Sequence, residues 1–170
     1  MKELKELYGL IGQHKPRQLI NIRKTPKRTR RHFILELCPV GYPADITCLA
    51  DLKLALRDVL LGLDFLHRHK FVHRDVRWPN VIRDEAGGFR LIDLEHSGRV
   101  GTTKYTLKSW PLLEEGGVFK ETCDLKMLWS MAQEYYRLWI GDGDGDANDF
   151  MLKLENGENV LNHPWIENVS

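Results

Sequence analysis

The fold is decided by the stretch His73-Arg74-Asp75-Val76-Arg77-Trp78-Pro79-Asn80, together with a second stretch, which is acidic, Asp93-Leu94-Glu95. Two short apolar runs separate the stretches, and a hairpin made from these runs would bring both stretches to one end. Transfer of a phosphoryl group from a nucleotide needs a carboxylate for the acceptor hydroxyl, oxygen ligands for magnesium and a cation on the migrating group. The residues of the right type are Asp75 for the hydroxyl, Asn80 and Asp93 for magnesium, and Arg77 for the phosphoryl group.

The segments on either side of the first stretch have clear periodicities. Apolar residues from Leu49 to His67 follow the three-four spacing that predicts a helix with one buried face. The runs 81–82 and 89–92, joined by a turn with two glycines, predict a β-hairpin. Residues 127–139 return to helical spacing. The predicted order is two N-terminal strands around the apolar segments 19–22 and 33–35, a long helix, a hairpin, a loop, a buried helix and a short helical tail.

The pattern His-Arg-Asp, with Asn five positions after the Asp, resembles the catalytic loop of the protein-kinase superfamily. The interval of 18 positions from Asp75 to Asp93, filled by a hairpin, matches the one expected between the loop Asp and the metal-binding Asp of a kinase. The form Arg77-Trp78-Pro79-Asn80 is similar to atypical microbial kinases, including crinkler-type effector kinase domains. The resemblance implies an α+β, protein-kinase-like fold, mainly the helical C-lobe with a truncated N-lobe remnant.

The resemblance also implies how the chain is divided. The whole chain would form one partial kinase-like domain, with the N-lobe remnant at residues 1–37 and the hinge and C-lobe at 38–170. The segment from Phe33 to Gly41 looks like the strand and hinge whose backbone binds the adenine ring of ATP. Glu36 and Cys38 would contribute main-chain groups to that contact.

Particular roles follow from the same resemblance. The implied catalytic residues are Asp75 as the base, Arg77 on the transferred phosphoryl group, and Asn80; the implied nucleotide-binding residues are Glu36, Cys38, Asn80 and Asp93; and the implied magnesium ligands are Asn80, Asp93 and Glu95. Thr102, in a segment similar to one that lines the substrate site of serine/threonine kinases, would hydrogen-bond to Asp75. Asp124 matches the Asp that braces the catalytic loop backbone. The implied reaction is phosphorylation of Ser/Thr hydroxyls of a protein substrate with ATP and Mg²⁺.

Two departures from the family pattern leave three hypotheses open. No glycine-rich loop or strand lysine precedes the hinge, although residues 3–13 would fit the tail of the helix that carries the lysine's glutamate partner, with Glu6 in that role. Glu95, two residues after Asp93, is similar to an acid of choline kinases and aminoglycoside phosphotransferases that can join the magnesium site. The hypotheses are an active protein kinase, a catalytically inactive truncated kinase that acts as a binding module, and a small-molecule phosphotransferase.

Composition restricts the setting in which the chain works. The 170 residues are 42% hydrophobic and 29% charged, which is typical of one folded domain. Three cysteines without Cys-x-x-Cys spacing predict neither a disulfide framework nor a zinc site, and they indicate a reducing, intracellular setting. No signal peptide or membrane span is predicted. Oligomeric state stays open.

The formal net charge of +1 is the sum of two strongly charged ends. Residues 1–31 hold 10 basic and 2 acidic residues, whereas residues 141–170 hold 1 basic and 7 acidic residues. The basic run 23–31 is predicted to be a solvated hairpin loop rather than a nucleic-acid patch, because Pro26 breaks a helix and no aromatics are interleaved. Because such a run can also act as a nuclear-import signal, both a cytoplasmic and a nuclear location stay open. The run 141–146 does not fit the EF-hand frame, so a flexible acidic surface loop is predicted.

Overall fold

The chain folds as helices packed around small antiparallel sheets. The computed structural model describes residues 2–28, 33–102, 117–140 and 143–167. The helices are α1 (Lys2–His14), α2 (Leu49–Arg68), α3 (Glu121–Trp139), α4 (Gly145–Glu155) and α5 (Pro164–Glu167). The strands are β1 (Asn21–Arg28), β2 (Phe33–Cys38), β3 (Gly41–Pro43), β4 (Phe71–Val72), β5 (Val81–Asp84), β6 (Phe89–Leu91) and β7 (Gly98–Arg99).

Helix α2 lies at the centre of the core. It packs against β4, β6, α3 and α5, and its buried face carries the predicted three-four spacing: Leu52, Ala55, Leu56, Val59, Leu60, Gly62, Leu63 and Leu66. At its start, the Thr47 hydroxyl donates to Asp51 Oδ2 at 2.6 Å, which ties the incoming chain to the first turn. The helix predicted for Leu49 to His67 is therefore confirmed to within one residue.

The strands of the described residues form three sheets, and one of these sheets places the stretches 73–80 and 93–95 at one end. Strand β1 pairs with β2, β4 pairs with β7, and β3, β5 and β6 form a three-stranded sheet in that order. Val81 lies opposite Leu91 in the β5–β6 hairpin, so the residue before β5 and the residues after β6 meet at the same edge. The predicted hairpin at this position is confirmed.

The N-terminal strand pair corrects the prediction for the basic run. Residues 23–28 belong to β1 rather than to a loop, because they pair with β2; Lys24 lies opposite Glu36 and Arg28 opposite Phe33. The Glu36 carboxylate is 2.7 Å from Lys24 Nζ and 3.5 Å from Arg23 Nε, so an acidic neighbour partly neutralises the strand. Residues 29–32 lie outside the described ranges.

Helix α4 is absent from the predicted order, and it corrects the prediction of an acidic loop over residues 144–146. Asp144 is the N-cap of α4, and its side chain accepts a hydrogen bond from Ala147 N at 3.1 Å and from Trp165 Nε1 at 3.2 Å. Residues 141 and 142 are not described. The buried side chains of α4 are Ala147, Phe150, Met151 and Leu154, and this spacing would have indicated the helix.

None of the helices in the described ranges combines the length and apolarity needed to cross a membrane.

The orientation of α4 makes a direct prediction about stability. Leu154 is fully buried whereas Leu152, two positions earlier on the same helix, is 56% exposed. Leu154→Ala should lower the free energy of unfolding by about 2–5 kcal/mol, because it leaves a cavity in the core. The matched control, Leu152→Ala, should change it by less than about 0.5 kcal/mol. Urea unfolding of both variants measures the difference, and equal effects would contradict the described orientation of α4.

Candidate active site

A single carboxylate fixes the backbone of the loop that carries the predicted catalytic residues. Asp124, in the first turn of α3, is fully buried. Its Oδ2 accepts hydrogen bonds from His73 N at 2.8 Å and from His67 Nε2 at 2.9 Å, and its Oδ1 accepts one from Arg74 N at 2.8 Å. The prediction that Asp124 braces the loop backbone agrees with these contacts.

His73 joins the loop to the residue that directly precedes the acidic stretch 93–95. Its Nδ1 accepts from Asp75 N at 3.2 Å, so the ring proton is on Nε2, which donates to Ile92 O at 2.9 Å. Burial lowers the pKa of His73 below its usual 6.5. The imidazole is therefore neutral at physiological pH, and its role is to hold Asp75 and residue 92 in position.

The three residues predicted to be catalytic lie together. Asp75 is 4% exposed, and Arg77 Nε lies 3.1 Å from its Oδ1 and 3.2 Å from its Oδ2. Asn80 Nδ2 donates to Asp75 Oδ2 at 2.7 Å and to the Asp75 backbone oxygen at 2.8 Å. The Arg77 side chain is 59% exposed, so its cation can reach a substrate from solvent.

Asn80 and Asp93 lie at the common end of the β5–β6 hairpin. Ile92 N donates to Asn80 O at 2.8 Å, which ties the residue before Asp93 to the end of the loop. Asp93 has left-handed backbone angles, with φ 62° and ψ 59°, and lies between the end of β6 and the 3-10 turn that follows. Glu95 lies in the following 3-10 turn with its side chain 68% exposed and 3.5 Å from His96 Nε2.

Tyr8 is a residue of this region that sequence reasoning missed. It lies on α1, is 4% exposed, and its pKa is raised to about 12 by burial and then by the charges of Asp93 and Glu95. Helix α1 is held beside the site by an ion pair between Glu6 and Arg99 of β7. Helix α1 is absent from the predicted order of elements, although the sequence of residues 3–13 would fit the tail of a helix; within the described ranges the ion-pair partner of Glu6 is an arginine.

The donor set suits magnesium. Because Asn80 uses Nδ2 for both bonds to Asp75, its Oδ1 remains for a metal, and Asp93 adds a carboxylate. Among the described residues, no group of three or more His, Cys, Asp and Glu side chains forms a cluster that could hold a metal ion. Magnesium commonly binds one or two carboxylates and completes its shell with water and nucleotide phosphates, so a sparse protein set fits it. Asn80 and Asp93, with Glu95 nearby, would hold the ion, which would neutralise phosphate charge when bound.

Arg74 occupies a closed pocket beside the loop. Its side chain is 1% exposed, its Nη2 donates to Thr102 Oγ1 at 2.6 Å and to Arg99 O at 3.1 Å, and its guanidinium lies 4.8 Å from the Phe119 ring centroid. A Cβ on Gly98 would lie 2.6 Å from the guanidinium, so a larger residue there would force the buried Arg74 side chain to move. Within the described part of the chain, Arg74 Nε and Nη1 have no hydrogen-bond partner.

The prediction that Thr102 hydrogen-bonds to Asp75 is wrong. The Thr102 hydroxyl donates to Arg99 O at 2.7 Å and accepts from Arg74, so its single proton is already used. The remainder of the substrate-site segment, residues 103–105, lies outside the described ranges.

The predicted hinge lies at the end of β2. Cys38 is paired with Asn21, a cis peptide bond joins Cys38 to Pro39, and the chain then enters β3. Val40 and Tyr42 are 80% and 71% exposed, so this segment presents apolar surface to solvent. The main-chain roles of Glu36 and Cys38 in adenine binding stay predictions.

Comparison with known proteins identifies the family of the chain. A profile of the protein kinase domain family matches residues 11–110, more than half of the chain. Myosin-IIIa of Mus musculus is 30% identical over an alignment of 87 residues that covers 45% of this chain and 5% of that protein. Nik-related protein kinase of Homo sapiens is 27% identical over an alignment of 85 residues that covers 45% of this chain and 5% of that protein. Mitogen-activated protein kinase kinase kinase 3 of Mus musculus is 41% identical over 46 residues, 27% of this chain and 7% of that protein.

The chain therefore belongs to the protein kinase domain family. The predicted α+β, protein-kinase-like fold is confirmed by this match and by the mixed helix and sheet architecture. The chain matches only 5% to 7% of the length of these curated relatives.

The contacts of Asp124 predict a large loss of stability when its charge is removed. Asp124→Asn replaces one acceptor oxygen by an NH₂ group that would face backbone N–H donors, so the free energy of unfolding should fall by about 3 kcal/mol. Asp64→Asn is the control: Asp64 pairs with the 73% exposed side chain of Arg68, and this substitution should cost less than about 1 kcal/mol. Urea unfolding measures both. A loss below 1 kcal/mol in Asp124→Asn would show that the loop has another anchor.

Buried, neutral His73 predicts a dependence of stability on pH. Because its pKa is lowered in the folded chain, the unfolded chain binds the extra proton more readily, and this contribution to stability is complete above pH 6.5. It is lost as pH falls below 6.5, with a slope of up to about 1.4 kcal/mol per pH unit. Nuclear magnetic resonance of the His73 ring measures its titration directly. A midpoint at or above 6.5 would contradict the neutral, buried ring.

Proposed function

We propose that the chain is an ATP-dependent protein kinase that transfers the γ-phosphoryl group to Ser/Thr hydroxyls of a protein substrate inside the cell. The observation that carries the proposal is the arrangement around Asp75: its carboxylate contacts Arg77 and Asn80, and the loop backbone beside it is fixed by Asp124. Family membership supports the reaction class, and the chemistry of the described residues supports their division of labour.

Each group suits one part of the reaction. The acceptor oxygen attacks the γ-phosphorus and forms the new O–P bond, the bond from the γ-phosphorus to the bridging oxygen breaks, and ADP leaves with that electron pair. The acceptor's proton passes to Asp75, whose carboxylate is oriented by Asn80 Nδ2. Arg77, exposed on one side and in contact with Asp75 on the other, places positive charge where the phosphoryl group moves.

A small-molecule phosphotransferase is a second candidate, and the exposure of Glu95 near Asp93 favours it. The surroundings of Arg74 and Arg77 favour the protein kinase. Arg74 orders the segment from Gly98 to Thr102, which leads towards the segment that resembles a protein-substrate site, and Arg77 faces solvent beside the base. A catalytically inactive binding module is the remaining alternative, and it differs from the other two in having no transfer activity.

Radiolabel transfer from MgATP tests the proposal. The purified chain should label a general protein acceptor on serine or threonine, and Asp75→Asn and Asp93→Asn should each reduce the rate by at least about 10²-fold, because the base and a magnesium ligand are lost. Asp64→Asn, which removes a carboxylate of α2 that pairs with the exposed side chain of Arg68, is the matched control and should keep the rate within about twofold.

Three other outcomes would contradict the proposal, each in a different way. Transfer only to choline-like or aminoglycoside acceptors would favour the small-molecule enzyme. Binding of MgATP without any transfer would favour an inactive binding module. Transfer that survives Asp75→Asn and Asp93→Asn would remove these residues from the site.

A further inference from the structure

Trp78, in the middle of the catalytic loop, makes a contact that the roles assigned above do not use. Its indole Nε1 donates to the backbone oxygen of Met131 on α3 at 2.8 Å. Its ring also meets the Tyr135 ring edge to face, at 5.1 Å between centroids and 89° between planes. The loop is thus joined to α3 at a second place, seven residues along the helix from Asp124.

The position of these two contacts on α3 is significant. Seven residues are close to two helical turns, so Asp124 and Met131 lie on the same face of α3, about 10 Å apart. Asp124 holds the start of the loop at His73 and Arg74, and Met131 holds its middle at Trp78. One rigid helix therefore sets the distance between the two parts of the loop.

Trp78 is also where the loop turns towards its metal-binding end. Residues Trp78–Asn80 form a 3-10 turn, in which Asn80 N donates to Arg77 O at 2.9 Å and Val81 N donates to Trp78 O. A displacement of the Trp78 ring would therefore move Arg77 on one side and Asn80 on the other. Both of these side chains contact the Asp75 carboxylate.

We propose that Trp78 is a positioning residue for phosphoryl transfer: its indole N–H bond to Met131 O sets the register of Arg77 and Asn80 on Asp75. Packing alone would not require an indole, because any large apolar ring could meet Tyr135. A hydrogen bond to a carbonyl inside a helix is directional, and that oxygen has a second lone pair free for it. The inference rests on the proposed function for its kinetic consequence, but the ordering of the loop can be measured without it.

The chain offers a matched control. Trp165 also uses its indole N–H once, donating to Asp144 Oδ2 at 3.2 Å, and its ring lies 4.9 Å from Phe150. It belongs to α5, which packs against α2 and α4 rather than against the loop. Trp78→Phe and Trp165→Phe therefore delete the same group and keep an aromatic ring in each place.

The first measurement is kinetic. Trp78→Phe should lower kcat about tenfold while KM for ATP changes less than about threefold, since the loss is in alignment rather than in nucleotide binding; a tenfold loss corresponds to about 1.4 kcal/mol. Trp78→Ala should lose more, because it also removes the ring contact with Tyr135. Trp165→Phe should keep kcat within about twofold when rates are normalised to the folded fraction.

The second measurement is hydrogen exchange of the backbone amides of Asn80 and Val81, which needs no activity. Trp78→Phe should raise their exchange rates about tenfold, and Trp165→Phe should leave them unchanged. If the wild-type chain transfers no phosphate, the proposed function fails while the exchange result still decides the positioning role. Unchanged exchange and unchanged kcat in Trp78→Phe, or equal effects in both Phe variants, would overturn the inference. Should Trp78→Ala fail to fold, the Phe variant still decides it.

Discussion

The site depends on the contacts of the Asp124 carboxylate with the loop backbone. Arg74 has a φ of 72°, in the left-handed region that non-glycine residues seldom occupy, and this conformation costs about 1–3 kcal/mol. Two backbone N–H groups at the bend, those of His73 and Arg74, donate to the same buried carboxylate, and these charge-assisted bonds offset the cost. The bend turns the Asp75 side chain towards Arg77 and Asn80 and sends the Arg74 side chain into the interior. A catalytic arrangement on one side of the loop and a buried guanidinium on the other thus have a common origin in α3.

The sequence alone predicts the elements whose apolar residues are regularly spaced and the loop that carries the candidate catalytic residues. The spacing of apolar residues in α2 and the two short runs of the β5–β6 hairpin have the periods that burial imposes, and both elements were predicted within a residue or two. The grouping of Asp75, Arg77 and Asn80 followed from short separation in the chain. Strand β1 was harder to predict because Pro26 and the cations are typical of a loop, whereas pairing with β2 and the acidic partner Glu36 keep the strand extended.

What the sequence could not supply were contacts between distant segments. Tyr8 reaches the neighbourhood of Asp93 only because α1 packs beside β7, and the Thr102 hydroxyl accepts from Arg74, 28 residues earlier in the chain, while it donates to Arg99 O. The N–H of Trp78 has a partner more than fifty residues away. Such contacts depend on how whole elements are placed, and neither periodicity nor local motif specifies that placement. Helix α4 is different, because the helical spacing of its apolar residues is present in the sequence. The run of glycines and aspartates at its start is typical of a loop, and this run led to the prediction of a loop.

The close approach of Gly98 to Arg74 has a consequence for how the chain can evolve. A side chain at position 98 and an arginine at position 74 would occupy the same space, so the residue tolerated at one position depends on the residue at the other. An alanine at 98 becomes sterically acceptable once a smaller residue stands at 74, and the energetic effects of the two changes would then be far from additive. Descendants of this chain that lose the arginine are released from the need for glycine, whereas those that keep it are not. Substitutions at the two positions should therefore be correlated.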